Sequence, residues 1–197
     1  MKVAVLLFED FESLDVFGPV EIFGRLADLY TVSFYSLSGG QIKNKHGVSI
    51  LTDKLETIYE NEGIFLIPGG LGTRKEVENK LLIDTIKRIS TFSLFVLTVC
   101  TGSALLARTA LLDGKTATSN KRAFAWVMTN GANVKWDKKA RWTVDGKYYT
   151  SSGVSAGMDM SLGFLADRHG IEFARKVAFE IEYNWTDNKD SDTFKVE

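Results

Sequence analysis

Uninterrupted apolar runs return along the chain, separated by stretches that mix apolar and polar residues at wider spacing. "VAVLLF" (Val3 to Phe8), "GIFLIPGG" (Gly63 to Gly70) and "FSLFVLTV" (Phe92 to Val99) show no alternation, which is the pattern of strands buried on both faces of a sheet. "YTVSFYSL" from Tyr30 and "KHGVSILTD" from Lys45 add strand character, the latter as a short strand or hairpin arm. Between them lie helical segments. "SLDVFGPVEIFGRLADL" predicts a helix entered through Gly18 and Pro19, since proline suits a first helical turn. "EVENKLLIDTIKRIS" sets Val77, Leu81, Leu82, Ile86 and Ile89 close to one helical stripe.

Further on, "TGSALLARTALL" has helical composition and Gly114 can end it. "KTATSN" predicts a short strand and "RAFAWVMTN" a helix. "RWTVDGKYYTSSG" predicts a hairpin turning on Asp145 and Gly146, the pair favoured in type I′ turns. Ser155 and Gly170 bracket another helix as N-cap and stop, and "IEFARKVAFEIEYNW" predicts the last one. Strands alternating with helices imply an α/β fold, a mostly parallel sheet with helices on both faces. Residues 1–187 form one domain in this reading, and 188–197 a polar tail expected to fray.

Composition narrows the function classes. The 24 Lys and Arg balance 25 Asp and Glu, so no basic field for nucleic acid is expected. The most basic stretch, Lys135 to Arg141, reads as a solvated hairpin arm. One cysteine and two scattered histidines do not make a zinc site, so no zinc is expected. His46 is expected in a loop, His169 in the last turn of a helix. The apolar N-terminal run is too short for a signal peptide or a membrane span, and a lone cysteine suits a reducing compartment, so a cytoplasmic protein is expected.

That cysteine, Cys100, stands where an apolar strand meets a helix, and small residues follow it: Thr101, Gly102, Ser103 and Ala104. Such a junction is a nucleophile elbow, whose tight turn needs small neighbours. The N-terminus of the following helix favours thiolate and is expected to lower the thiol pKa. Taken alone, a single cysteine reads as a small core residue. Two neighbours shift the weight. The glycines of "IPGG", Gly69 and Gly70, can offer backbone N–H groups as an anion hole, and Asp15 is expected in the loop after the first strand. Phe11, Phe17, Phe124, Trp126, Trp142 and Tyr183 could line the pocket, but aromatics at helical spacing are more often core.

"LDVFGPVEIF", "IFLIPGG", "VCTGSALLA", "LLDGKTAT" and "GVSAGMDMSL" occur in this order along nearly the whole chain. Together they resemble the ThiJ/PfpI superfamily, of the class I glutamine amidotransferase-like fold, and within it the isocyanide hydratase branch. The resemblance implies a flavodoxin-like three-layer sandwich, a homodimer, no cofactor and a small-molecule substrate. It implies Cys100 as nucleophile, Asp15 as the acid and Thr101 as the threonine beside the nucleophile, with Gly69 and Gly70 lining the pocket. Two departures bear on function. Intracellular peptidases of the superfamily carry histidine directly after the nucleophile, where this chain has Thr101, and Asn120 stands where many hydratase-type relatives have histidine.

The leading expectation is therefore hydration of an isocyanide to an N-substituted formamide, with Asp15 alternating as acid and base. Amidase, peptidase or glyoxalase-type chemistry on the same thiol is the second reading. A cysteine redox sensor is the third. A transcription regulator is a weaker variant, since relatives of that kind append a helix-turn-helix domain for which 197 residues leave no room.

Overall fold

A computed structural model describes residues 1–59 and 63–196. In chain order the elements are β1 (Lys2–Leu6), α1 (Ser13–Gly24), β2 (Thr31–Ser36), β3 (Gly40–Lys43), β4 (Ser49–Lys54), β5 (Ile64–Ile67), α2 (Thr73–Glu76), α3 (Lys80–Phe92), β6 (Phe95–Thr98), α4 (Gly102–Arg108), β7 (Thr116–Ala117), α5 (Phe124–Met128), β8 (Lys135–Trp136), β9 (Trp142–Asp145), β10 (Tyr148–Ser151), α6 (Ala156–His169) and α7 (Ile171–Glu180). The main sheet runs β3-β4-β2-β1-β5-β6-β10-β9. Its six inner strands are parallel, and the edge strands β3 and β9 pair antiparallel. A separate two-stranded ribbon joins β7 to β8.

The apolar runs become the sheet centre. Val3, Val5, Leu6 and Ile64 to Ile67 have no exposed surface, so the absence of alternation in these runs reflects two covered faces. Helix α1 packs on α6, and α6 on α7, while α4 contacts α2, α3 and α5. This is the doubly wound α/β sandwich, with the chain leaving β1 to one side and returning through β5 to the other. Ligands in such sheets sit beyond the carboxyl ends of the strands where that reversal occurs. The turns after β1, β5, β6 and β10 meet there.

Local details depart from expectation in several places. Helix α1 begins at Ser13, so Pro19 lies inside it and Asp15 sits in its first turn rather than in a loop. The hairpin pairs Asp145 with Tyr148, which leaves Gly146 and Lys147 as its loop. Only Gly146 of these two has positive φ (62°), the pattern of a type II′ turn rather than I′. Ser155 stands at the N-cap of α6 without a side-chain capping bond. The basic stretch is no solvated arm throughout, because Arg141 is buried and its Nε donates to Asp159 at 2.6 Å.

That guanidinium also holds the tail expected to fray. Arg141 Nη1 lies 3.4 Å from buried Asp192. The Arg141 N–H donates to the Lys189 carbonyl at 2.7 Å, and the Asp192 N–H to the Lys139 carbonyl at 2.8 Å. Residue 197 lies outside the described residues.

Candidate active site

Cys100 ends the segment after β6 with φ at 58°. A left-handed backbone at a non-glycine residue costs about 1–2 kcal/mol and persists only where its surroundings impose it. Here they do. The Cys100 N–H donates to the Ser152 carbonyl at 3.1 Å, and the Cys100 carbonyl accepts from Ser119 Oγ at 2.7 Å and Ser103 Oγ at 3.2 Å. A side chain at Gly102 would place its Cβ 2.3 Å from the Ile67 carbonyl oxygen, so the small residue after the elbow is a steric demand. The sharp strand-to-helix elbow expected at Cys100 is present.

Asp15 reaches the same point from α1 and is fully buried. Its Oδ2 accepts from the Gly69 N–H at 2.9 Å, while Oδ1 has no hydrogen-bond partner at normal geometry among the described residues, though Cys100 and the Val154 N–H lie close enough to favour its charged form. Burial pushes this carboxyl from 3.8 up to about 8, and nearby Glu12 adds to the rise. The neutral acid is thus its resting form at neutral pH. Cys100 lies near enough to influence that titration, and burial, with the Asp15 charge second, pushes the thiol up as well. This reverses the direction expected from the helix end. A helix terminus contributes at most about 2 kcal/mol, and α4 has only seven residues. Full burial can shift a group by about 3–5 pH units, so desolvation wins.

The two glycines serve another purpose than an anion hole. Gly69 N–H is engaged by Asp15, and Gly70 N–H donates to Thr101 Oγ1 at 3.1 Å. Instead, the N–H groups of Thr101 and Val154 and the side chain of Asn120 favour negative charge on the sulfur. Asn120 Oδ1 accepts from the Ala123 N–H at 2.9 Å, which fixes the amide so that Nδ2 is its free donor. Gly153 makes room for that amide, since a Cβ there would lie 2.2 Å from Nδ2.

Thr101 follows Cys100 and is itself locked, its Oγ1 lying 3.0 Å from Thr73 Oγ1. Thr73 is fully buried and donates to the Gly70 carbonyl at 2.7 Å. Gly69 packs against this pair so closely that a Cβ would sit 2.6 Å from Thr101 Oγ1 and 2.9 Å from Asp15 Oδ2.

Cys100, Thr101, Gly70, Asn120 and Val154 line a cavity of about 410 Å³. Of the residues expected at the site, Gly69 and Asp15 do not line this cavity: Gly69 holds the fully buried Asp15 behind its wall, next to Cys100. None of the six candidate aromatics lines this cavity. Neither histidine does. His46 Nδ1 bonds Ser13 Oγ at 3.2 Å, and His169 Nε2 bonds Tyr30 Oη at 2.7 Å. Thr73, Ser119, Ser103 and Val154 were not legible as site residues. Val154 carries a signal only in its backbone, φ 51° at a β-branched residue. Among the described residues no group of three or more His, Cys, Asp or Glu is placed to hold a metal ion, and no helix is long and apolar enough to cross a membrane.

Comparison with known proteins identifies the family and the fold. Residues 1–167 match the DJ-1/PfpI family. The chain is 28% identical to an isonitrile hydratase of Pseudomonas putida over 193 residues, covering 93% of this chain and 78% of that protein. It is 26% identical to the HTH-type transcriptional regulator CdhR of Pseudomonas aeruginosa over 81% of this chain, but spans only 47% of the regulator. Among solved structures, a ThiJ/PfpI family protein from Pseudomonas syringae aligns with a TM-score of 0.80 at 24% identity, covering 93% of this chain and 75% of that one. Drosophila melanogaster DJ-1beta aligns with a TM-score of 0.79 at 22% identity, covering 93% and 98%. At these identities the two structures establish the fold alone.

Proposed function

The chain belongs to the DJ-1/PfpI family, and from that premise we propose that it is a cysteine-dependent hydratase that converts an isocyanide to the N-substituted formamide. The observation that carries this reading is a buried carboxyl held neutral beside an elbow thiol, with no imidazole lining the cavity. Hydration of R–NC needs one proton delivered to carbon and later recovered, which a single carboxyl can do. Peptide cleavage needs protonation of a leaving amine, for which an imidazole beside the thiol is the usual donor. The isonitrile hydratase of Pseudomonas putida, similar over 93% of this chain, supports the same choice.

The active form is the pair carrying one proton, which Asp15, ionised first, draws from the thiol as sulfur attacks and which returns to sulfur at the end of the cycle. Cys100 Sγ bonds to the terminal isocyanide carbon, and the proton of Asp15 goes to that carbon, giving a thioimidate and a carboxylate. Water then adds to the carbon. One of its protons ends on nitrogen and the other on Asp15, and the C–S bond breaks with its electron pair returning to sulfur. Formamide leaves and the starting pair is restored. Thr101 and Val154 N–H and the Asn120 amide stabilise charge on sulfur in the first and last steps.

The test is formamide production from alkyl and aryl isocyanides under reducing conditions, by wild type and Cys100→Ala. Turnover that the substitution abolishes supports the assignment. Absence of turnover by wild type whose thiol is reduced and titratable would overturn it. On the resemblance, we also propose a homodimer working without a cofactor. Sedimentation at twice the chain mass of 21.9 kDa checks the first part.

A further inference from the structure

The cavity over Cys100 is charged at its mouth in a way the chemistry at its floor does not require. Lys45, Arg74 and Arg122 line it, against a single carboxylate, Glu12. Glu12 has a neighbour of its own, with its Oε1 3.9 Å from His46 Nδ1. Among the described residues, none of the three cations has an ion pair. Elsewhere cations such as Arg25, Arg108, Arg141 and Arg175 are each set against a carboxylate. The chain as a whole carries a formal charge of −1, so this excess of positive charge is local to the cavity.

Arg74 is more than a solvated side chain that happens to lie nearby. Its guanidinium carbon sits 3.4 Å from the centroid of the Trp126 ring, a stacking contact that restrains the group without neutralising it. With one face against the indole, the N–H edge remains for an acceptor. The planar fork of a guanidinium matches the two oxygens of a carboxylate.

We propose that the substrate of this cavity is an anion, a small molecule whose reacting carbon meets Cys100 while a carboxylate at its other end is held by Arg74 and Arg122, with Lys45 adding to the field. The inference deepens the hydratase reading, on which its choice of reacting group rests, and it narrows the substrate class to isocyanides that bear a carboxylate. Electrostatic focusing in a cleft of one sign raises the local concentration of the opposite charge.

Two measurements separate this inference from the hydratase reading. The first needs no turnover: alkylation of Cys100 by iodoacetate and by iodoacetamide, reagents of similar size that differ in charge, each referred to a small free thiol. The iodoacetate to iodoacetamide rate ratio is expected to exceed that of the free thiol by about tenfold, and to fall toward the free-thiol value in Arg74→Gln and Arg122→Gln. The surface variant Arg175→Gln, which removes the same charge elsewhere, should leave the ratio unchanged. The second is turnover of isocyanoacetate against its methyl ester, with kcat/KM favouring the anion through KM.

A ratio equal to that of the free thiol, or one lowered as much by Arg175→Gln, would overturn the anion preference even if both isocyanides were hydrated. Failure of both isocyanides to react, with the alkylation preference present and lost in the two arginine variants, would overturn the hydratase reading and leave the anion site standing.

Discussion

Asp15→Asn should make the protein more stable and inactive at once, and the structure sets the size of the effect. The carboxyl is fully buried and its pKa is pushed from 3.8 up to about 8, chiefly by desolvation. Between those values the folded chain holds a proton that the unfolded chain has released. Stability therefore falls as pH rises through this window, and above about pH 8 the full penalty of a buried charge is present. Asparagine keeps an oxygen to accept from the Gly69 N–H, now made to Oδ2 at 2.9 Å, and has no charge to desolvate. The two proteins should differ by less than about 1 kcal/mol near pH 4, and the variant should lead by ~4 kcal/mol near pH 7. Urea unfolding followed by tryptophan fluorescence across that range reads this directly, as a midpoint gap that opens to roughly 2 M. A gap that stayed constant with pH would refute the reasoning, because it would mean that Asp15 ionises alike in both states. Retained turnover in the variant would refute its role as proton donor.

Other outcomes follow from the same geometry. Because the reactive form of the pair carries one proton, kcat/KM should rise with pH through about 8, the value to which Asp15 is pushed, and a profile flat from pH 6 to 9 would contradict this. Cys100→Gly and Cys100→Ala should both be inactive, yet the glycine variant should be the more stable by about 1 kcal/mol in thermal unfolding, because it alone relieves the 58° φ. Arg141→Met leaves buried Asp159 and Asp192 without their cation, and should cost about 3–5 kcal/mol and expose the segment after residue 186 to limited proteolysis. Gly69→Ala drives a Cβ to 2.6 Å from Thr101 Oγ1 and 2.9 Å from Asp15 Oδ2. Its activity should fall by more than tenfold while the fold, read by far-ultraviolet circular dichroism, is kept.

How much of this could be read from the sequence depended on whether the signal was local. Runs such as "FLI" and "VLT" are buried on both faces, so their lack of alternation announced the parallel sheet, and the strand-to-helix joint with small residues after Cys100 announced the elbow. The sequence points to a later start for α1 because Pro19 is most at home in a first turn, whereas here a proline is carried inside the helix. Strand β3 leaves no mark in the sequence because Gly40 to Lys43 is an edge strand with one buried side chain, too little for a periodic signal. The tail looked loose because its residues are polar. What ties it down is Arg141, some fifty positions earlier.

The site was legible as a set of residues and illegible as a set of roles. Cys100, Asp15, Thr101, Gly70 and Asn120 do converge, but the roles rest on backbone donors that no composition records. Gly69 and Gly70 suggest an open anion hole in sequence, and in space their N–H groups are engaged by Asp15 and Thr101. The donors facing sulfur come instead from Thr101 and from Val154, a β-branched residue whose positive φ nothing in "GVSAG" foretells. The same limit explains the thiol. A helix end is visible in sequence and favours thiolate by at most about 2 kcal/mol. The burial that opposes it belongs to the assembled fold, where Cys100 is 6% exposed and desolvation can reach about 3–5 pH units. An elbow cysteine with a buried acid is therefore not by itself an activated thiol. It is a pair that keeps its protons near neutral pH, and its reactivity depends on a substrate that can accept one of them on carbon.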